Sequence, residues 1–227
     1  MSNIMQKRVS CPNCNEEFDA KIYPSINVTT DPQLREPAFD DRLFKTRCPS
    51  CGQEFLLNYP ILYNNMKKRF MIYMIPGLDR FSLIDEGLEE KYSTVGNVRK
   101  RLAPTYNRLK EKVFIFESGL DDMPVEITKL YVSELVAKKY NLQKVEDGYL
   151  SMYNRETNSL GFTFLIGEEQ KPYVQSARLE IYGKAVSMVS EVAQQERQMR
   201  GFINIDREWA ENVIFRYKRF LKQKKKT

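Results

Sequence analysis

"SCPNCNEEF" (residues 10–18) and "RCPSCGQEF" (residues 47–55) write one phrase twice, Cys-Pro-x-Cys-x-x-Glu-Phe, thirty-seven positions apart. Together they hold the only four cysteines of the 227-residue chain: Cys11, Cys14, Cys48 and Cys51. A two-residue gap lets the backbone fold back so that both sulfurs face one point, which supplies half of a tetrahedral donor set. A second copy supplies the other half. Pro12 and Pro49 fix φ near roughly −65° at the start of each turn. Gly52 follows the second pair and Asn15 holds the matching place after the first. These two residue types enter the left-handed region most easily, where backbone N–H groups can point at sulfur. Phe18 and Phe55 then offer an apolar residue with which to begin a strand.

The spacing C-x2-C-x33-C-x2-C in a chain read as cytosolic points to metal, because that compartment keeps thiols reduced. We expect one structural Zn²⁺ per chain, held by Cys11, Cys14, Cys48 and Cys51. Rubredoxin-like iron uses the same four-thiolate geometry and stays open as an alternative. A redox Cys-x-x-Cys would need one motif beside a βαβ pattern, and four unrelated buried cysteines would not repeat a phrase. Four protein ligands leave no position for water or substrate, so such an ion holds a fold and does not catalyse.

The chain has no histidine, which removes Ser-His-Asp and Cys-His catalysis, two-His zinc hydrolysis and His general-base chemistry. The carboxylate pairs Glu89-Glu90 and Asp121-Asp122 are the nearest thing to an acid–base constellation, and the second reads more simply as a helix cap. No P-loop or dinucleotide glycine fingerprint occurs. The expectation is therefore no enzyme, no catalytic residue and no organic-cofactor site.

The net charge of +6 invites a nucleic-acid reading, but residues 216–227 carry seven basic residues and no acid, which leaves −1 for everything before them. Residues 1–76 hold ten Lys/Arg against eight Asp/Glu. The longest apolar run, "FMIYMI" at 70–75, is far short of the roughly 20 residues of a membrane span. The first ten residues lack the apolar segment of a secretory signal. These readings point to the cytoplasm and away from membranes.

Along the chain the pattern is α+β. An N-terminal zinc-ribbon-like β module of about three strands over residues 1–77 carries both knuckles, and Pro76-Gly77 closes it. "EFDAKIYPSINVTT" favours strand but is interrupted by Pro24, and "DPQLREPAFDDRLF" reads as a polar excursion. "EFLLNYPILY" and "KRFMIYMI" read as strands around a turn at 64–67. A mixed helix/β-hairpin body follows over 78–220. Helical periodicity runs through "VRKRLAPTYNRLKEKVFIFESG", with Pro104 either kinking the helix or marking its true start and Gly119 ending it. Asp121 and Asp122 open a second helix whose apolar stripe is Ile127, Leu130, Tyr131 and Leu135. "GYLSMYN" and "LGFTFLIG" form a hairpin, "LEIYGKAVSMVSEVAQQERQMR" an amphipathic helix, and Asp206 caps a last helix that docks through Trp209, Val213, Phe215 and Phe220. Residues 221–227 read as a flexible basic tail.

The paired motif and the runs "CPNCNEEFDAKIYPSINVTTDP", "CPSCGQEFLLNYPILYNNMKKRFMIYMIP" and "LKEKVFIFESGLDDMPVEITKLYV" resemble the CpXC domain family, a bacterial and archaeal group of uncharacterised function. The resemblance covers about residues 11–131 and implies that Cys11, Cys14, Cys48 and Cys51 are the family's cysteines, with Asn15 where glycine is common. The function expected from all this is that of a structural-zinc binding or scaffold protein whose partner is another protein. Nucleic-acid binding, helped by the basic tail, is the first alternative, and a His-independent enzyme is the second.

Overall fold

The computed structural model describes residues 1–78, 92, 95–145, 148–167 and 169–225; Glu89 and Glu90 lie outside them. The chain is α+β and divides into two compact units, Met1–Leu109 with Arg200–Phe202, and Lys110–Met199 with Ile203–Thr227. No helix among the described residues is long and apolar enough to cross a membrane.

The first unit contains β1 (Asn3–Ser10), β2 (Glu17–Asn27), α1 (Arg35–Phe39), β3 (Lys45–Arg47), β4 (Glu54–Leu56), β5 (Ile61–Asn65), β6 (Phe70–Met74) and β7 (Arg99–Ala103). Five strands form one sheet in the order β1-β2-β5-β6-β7, and β3 and β4 form a hairpin of their own. This is more β-structure than the three strands expected. Residues 57–60, ending in Pro60, break "EFLLNYPILY" into β4 and β5, which belong to different sheets. Of the two readings left open at Pro104, the structure takes the later helix start: "RKRLA" ahead of it is β7 and pairs in parallel with β6, so the unit runs past residue 77. Its cations interrupt any apolar alternation, and Pro104 marks the boundary before the helix begins at Tyr106. Pro24 does not end β2. It lies between Ile22, paired with Met5, and Ser25, paired with Asn3, where the register shifts and the ladder asks no N–H of it.

Hydrophobic residues close this unit. β5 is buried along its whole length, and Tyr63 stacks on Phe70 with ring centroids 6.1 Å apart. The "polar excursion" contributes Ala38, Leu43 and Phe44 to the core. Phe44 is fully buried and stacks on Tyr106 at 4.5 Å.

The second unit takes up the chain inside α2 (Tyr106–Glu117) and continues through α3 (Asp122–Lys139), β8 (Gly148–Asn154), β9 (Ser159–Ile166), β10 (Lys171–Arg178), α4 (Leu179–Val192), α5 (Gln194–Gln198) and α6 (Arg207–Lys224). Gly119 takes φ +80° after α2 while its N–H donates to Phe116 O and that of Leu120 donates to Ile115 O, a Schellman ending. Asp121 caps α3 by accepting from Met123 N, and Asp206 caps α6 by accepting from Trp209 N. The strands make an antiparallel sheet β10-β9-β8, one strand more than the expected hairpin. Ala193 separates α4 from α5 in the stretch read as one helix.

Two expected stripes are narrower than predicted. On α3, Ile127 and Leu130 are buried, whereas Tyr131 and Leu135 are 44% and 43% exposed. On α6, Val213 joins the core with Met123, Ile127, Ala185 and Val189, and Trp209 packs against them, but Phe215 is 61% exposed. The last helix also runs to Lys224, into the stretch read as tail.

The buried face of α3 is polar as well as apolar. Lys129 Nζ lies 3.0 Å from Glu111 and 2.8 Å from Glu126, and Lys112 Nζ lies 3.1 Å from Asp122 while donating to Ile205 O. Glu111 Oε1 also accepts from Leu150 N, which ties α2, α3 and β8 together. Removing one member of such a set leaves charges buried without their counterion. Lys129→Met should lower the stability of the second unit by about 3–5 kcal/mol, read by urea unfolding through the fluorescence of Trp209, the chain's single tryptophan.

Candidate metal centre

Each cysteine pair is the turn of a β-hairpin, and the two turns are built alike. The first joins β1 to β2, with Ser10 opposite Glu17, and the second joins β3 to β4, with Arg47 opposite Glu54. In the first, Cys11 N donates to Glu16 O and Asn15 N donates to Cys11 O. In the second, Cys48 N donates to Gln53 O and Gly52 N donates to Cys48 O. Asn15 and Gly52 take φ +60° and +73°, the left-handed conformation that the repeated phrase demands at this place. The phenylalanines that follow meet each other, Phe18 against Phe55 edge to face with centroids 6.3 Å apart.

This arrangement brings all four sulfurs together, each within 4.8 Å of the others. Two close approaches cross between the knuckles: Cys11 Sγ to Cys51 Sγ and Cys14 Sγ to Cys48 Sγ are both 3.6 Å. A tetrahedron of thiolates at about 2.3 Å from a central ion has edges of roughly 3.8 Å. The donor set therefore fits a metal ion. Cys11 and Cys48 are buried and Cys14 and Cys51 exposed, so one side of the set faces the protein and the other faces solvent. No other group of histidine, cysteine or carboxylate side chains among the described residues converges in this way.

The electrostatics of the cluster suit a cation among the sulfurs. The Gln53 N–H at the Cys51 sulfur, with Asn13 beside it, holds that thiol down at about 6. The Glu16 N–H acts in the same sense on Cys14, but desolvation and the neighbouring Cys51, Cys48 and Cys11 sulfurs override it and push Cys14 up to about 12. Close sulfurs thus oppose ionisation at Cys14, and a divalent cation among them would relieve that conflict. Because ligation requires deprotonated sulfur, acid would release an ion held there.

Of the two carboxylate pairs singled out by the sequence, Glu89-Glu90 lies outside the described residues and Asp121-Asp122 serves structure. Asp121 is a helix cap and pairs with Arg197 at 2.9 Å, and Asp122 is buried against Lys112. The sequence reading missed the Glu111–Glu126–Lys129 set. Its only signal was opposite charge at positions 126 and 129, one helical turn apart and outside the apolar stripe read from the sequence.

Asn15 offers a test of the knuckle geometry. Asn15→Gly should be neutral or slightly stabilising, whereas Asn15→Val forces a β-branched residue into the left-handed region and should cost about 1–2 kcal/mol. Thermal unfolding of the metal-loaded protein measures both, and an equal effect of the two substitutions would contradict the assigned backbone conformation.

A family model described as CpXC protein matches residues 9–129, more than half of the 227-residue chain and inclusive of both knuckles. No curated protein and no solved structure matches the chain. With the repeated hairpin turns and the converged cysteines lying inside the matched segment, the chain belongs to the CpXC protein family.

Proposed function

We propose that Cys11, Cys14, Cys48 and Cys51 hold one Zn²⁺ ion as a structural centre, and that the protein works as a binding or scaffold protein for another protein rather than as an enzyme. The observation that carries the metal reading is the convergence of four sulfurs from two hairpins of like geometry. A four-thiolate set is closed, so the ion's work is architectural. Zinc suits it because thiolate ligands in tetrahedral array are a preferred zinc environment. The hairpin β3–β4 has strands of only three residues, too short to stand alone, and zinc binding in such modules supplies folding free energy on the order of 10 kcal/mol.

The surface charge around the knuckles favours a protein partner over a phosphate backbone. Arg8 faces Glu17 at 3.5 Å and Asp19 at 3.9 Å, and Arg47 faces Glu54 at 3.7 Å, so the arginines nearest the turns are answered by carboxylates of their own hairpins. Four thiolates around one divalent ion would add negative charge there, which repels nucleic acid. On α6 the basic residues Arg207, Arg216 and Lys224 likewise face Glu211, Glu196 and Glu191.

Native mass spectrometry of the reduced protein should find one zinc per chain. Cys48→Ser should abolish that stoichiometry and expose the first unit to limited proteolysis while the second unit stays protected. Fully folded, zinc-free protein with four titratable thiols would overturn the metal reading. In vivo cross-linking and affinity purification should return a protein partner that the chelated protein fails to hold. Binding instead to random-sequence DNA, with affinity falling steeply as salt rises, would replace the protein-partner reading with a nucleic-acid one.

A further inference from the structure

The four sulfurs are not equally placed. Cys11 and Cys48, the first cysteine of each knuckle, are 0% and 1% exposed, while Cys14 and Cys51, the second of each, lie open to solvent. Each exposed sulfur has a buried sulfur of the other knuckle 3.6 Å away: Cys48 for Cys14, and Cys11 for Cys51. A closed metal site with all its sulfurs buried resists electrophiles. This one presents half of its thiolates to them, each beside a partner in the opposite hairpin. We propose that Cys14 and Cys51 are oxidation sites at which a hydroperoxide converts the four-thiolate set into two disulfides, Cys14–Cys48 and Cys11–Cys51, and so releases the metal reversibly. This rests on the metal reading above.

The chemistry balances. The exposed thiolate attacks the terminal oxygen of the hydroperoxide, the O–O bond breaks, and a sulfenic acid forms as the alkoxide leaves and takes a proton to become the alcohol (water, for hydrogen peroxide). The buried thiolate of the other knuckle then attacks the sulfenic sulfur, the S–S bond forms, and hydroxide leaves and takes a second proton as water. Each disulfide therefore consumes one hydroperoxide and two protons, with two electrons passing from the sulfur pair to the peroxide. Two such events use all four donors and leave the ion without ligands. Closing each pair from 3.6 Å to a bond of about 2.05 Å needs a local movement of roughly 1.5 Å.

The pairing matters more than the oxidation. Disulfides within a knuckle would free the two hairpins from each other once the ion had gone. Disulfides between knuckles would replace the ion's cross-link with a covalent one, so the module keeps its fold while losing its metal. A reducing thiol then restores the donor set by exchange.

The test uses the full-length protein purified reduced and loaded with zinc, its stoichiometry fixed first by native mass spectrometry, so that failure of the metal reading is seen before any oxidant is added. Hydrogen peroxide should then release the bound zinc to a chromogenic chelator, and dithiothreitol with added zinc should restore it. Peptide mapping of the oxidised protein should find Cys11–Cys51 and Cys14–Cys48, with the far-ultraviolet circular dichroism unchanged. Limited alkylation of the loaded wild-type protein by N-ethylmaleimide should mark Cys14 and Cys51 before Cys11 and Cys48, a readout that needs no variant to fold. Zinc retained under excess peroxide, disulfides Cys11–Cys14 and Cys48–Cys51, or equal labelling of all four cysteines would each overturn the inference while leaving the metal reading intact.

Discussion

Four sulfur atoms from two separate hairpins lie within 4.8 Å of one another, and the geometry of the first unit around them follows from that convergence. Sulfurs packed this closely cannot all ionise without a cation among them, and thiols left protonated there would waste the N–H groups already turned toward Cys11 and Cys51. At Cys51 the backbone favours the charged form. Two left-handed residues, Asn15 and Gly52, are spent on aiming each turn, and an Asn accepts that conformation only with some strain. Such arrangements persist where something at the turn repays them.

The knuckles were legible because they are local. Ligand spacing, the prolines and the left-handed positions all sit within eight residues, and the same phrase written twice checks itself. The helix caps at Asp121 and Asp206 and the ending at Gly119 were legible for the same reason. Illegible were features that depend on distant pairing. Nothing in "RKRLA" shows that Lys100 and Arg101 will be buried in a parallel strand, because the partner β6 lies outside any local window. Pro24 looked like a strand break; only the register of β1 against β2 shows the bulge that accommodates it. The stripes on α3 and α6 failed in another way. Periodicity finds an apolar face but does not fix its width, so Tyr131, Leu135 and Phe215 were counted into a core that they do not join.

The second unit places charge where the first places apolar rings. Lys112, Lys129, Glu111, Glu126 and Asp122 are all nearly inaccessible, and a set of that kind stabilises less than apolar residues of the same volume would. Its contribution is directional. Glu111 accepts from the backbone of β8 while it faces an ammonium on α3, and Lys112 donates to the carbonyl of Ile205 just ahead of α6. An apolar core tolerates sliding of one helix past another, whereas these bonds exist at one register only. The Leu and Val contacts hold the helices together, and the ionic contacts specify where.

The position of the metal centre in the sheet order has a consequence of its own. β1 and β2 lie at one edge of the five-stranded sheet, while β3 and β4 form a separate hairpin. The ion would therefore join two sheets rather than brace one. Beyond the sulfurs, that hairpin is held by the Phe18–Phe55 edge contact near the knuckles and by the Leu57 N–H donating to Phe44 O at its other end. Phe55 is only partly buried and Leu56 is 48% exposed, so burial supplies little at the knuckle end. A cross-link at the turn therefore controls the freedom of a whole β-hairpin through four atoms. Loss of an ion there, by acid or chelation, would leave the knuckle end of that hairpin with little but the Phe18–Phe55 contact.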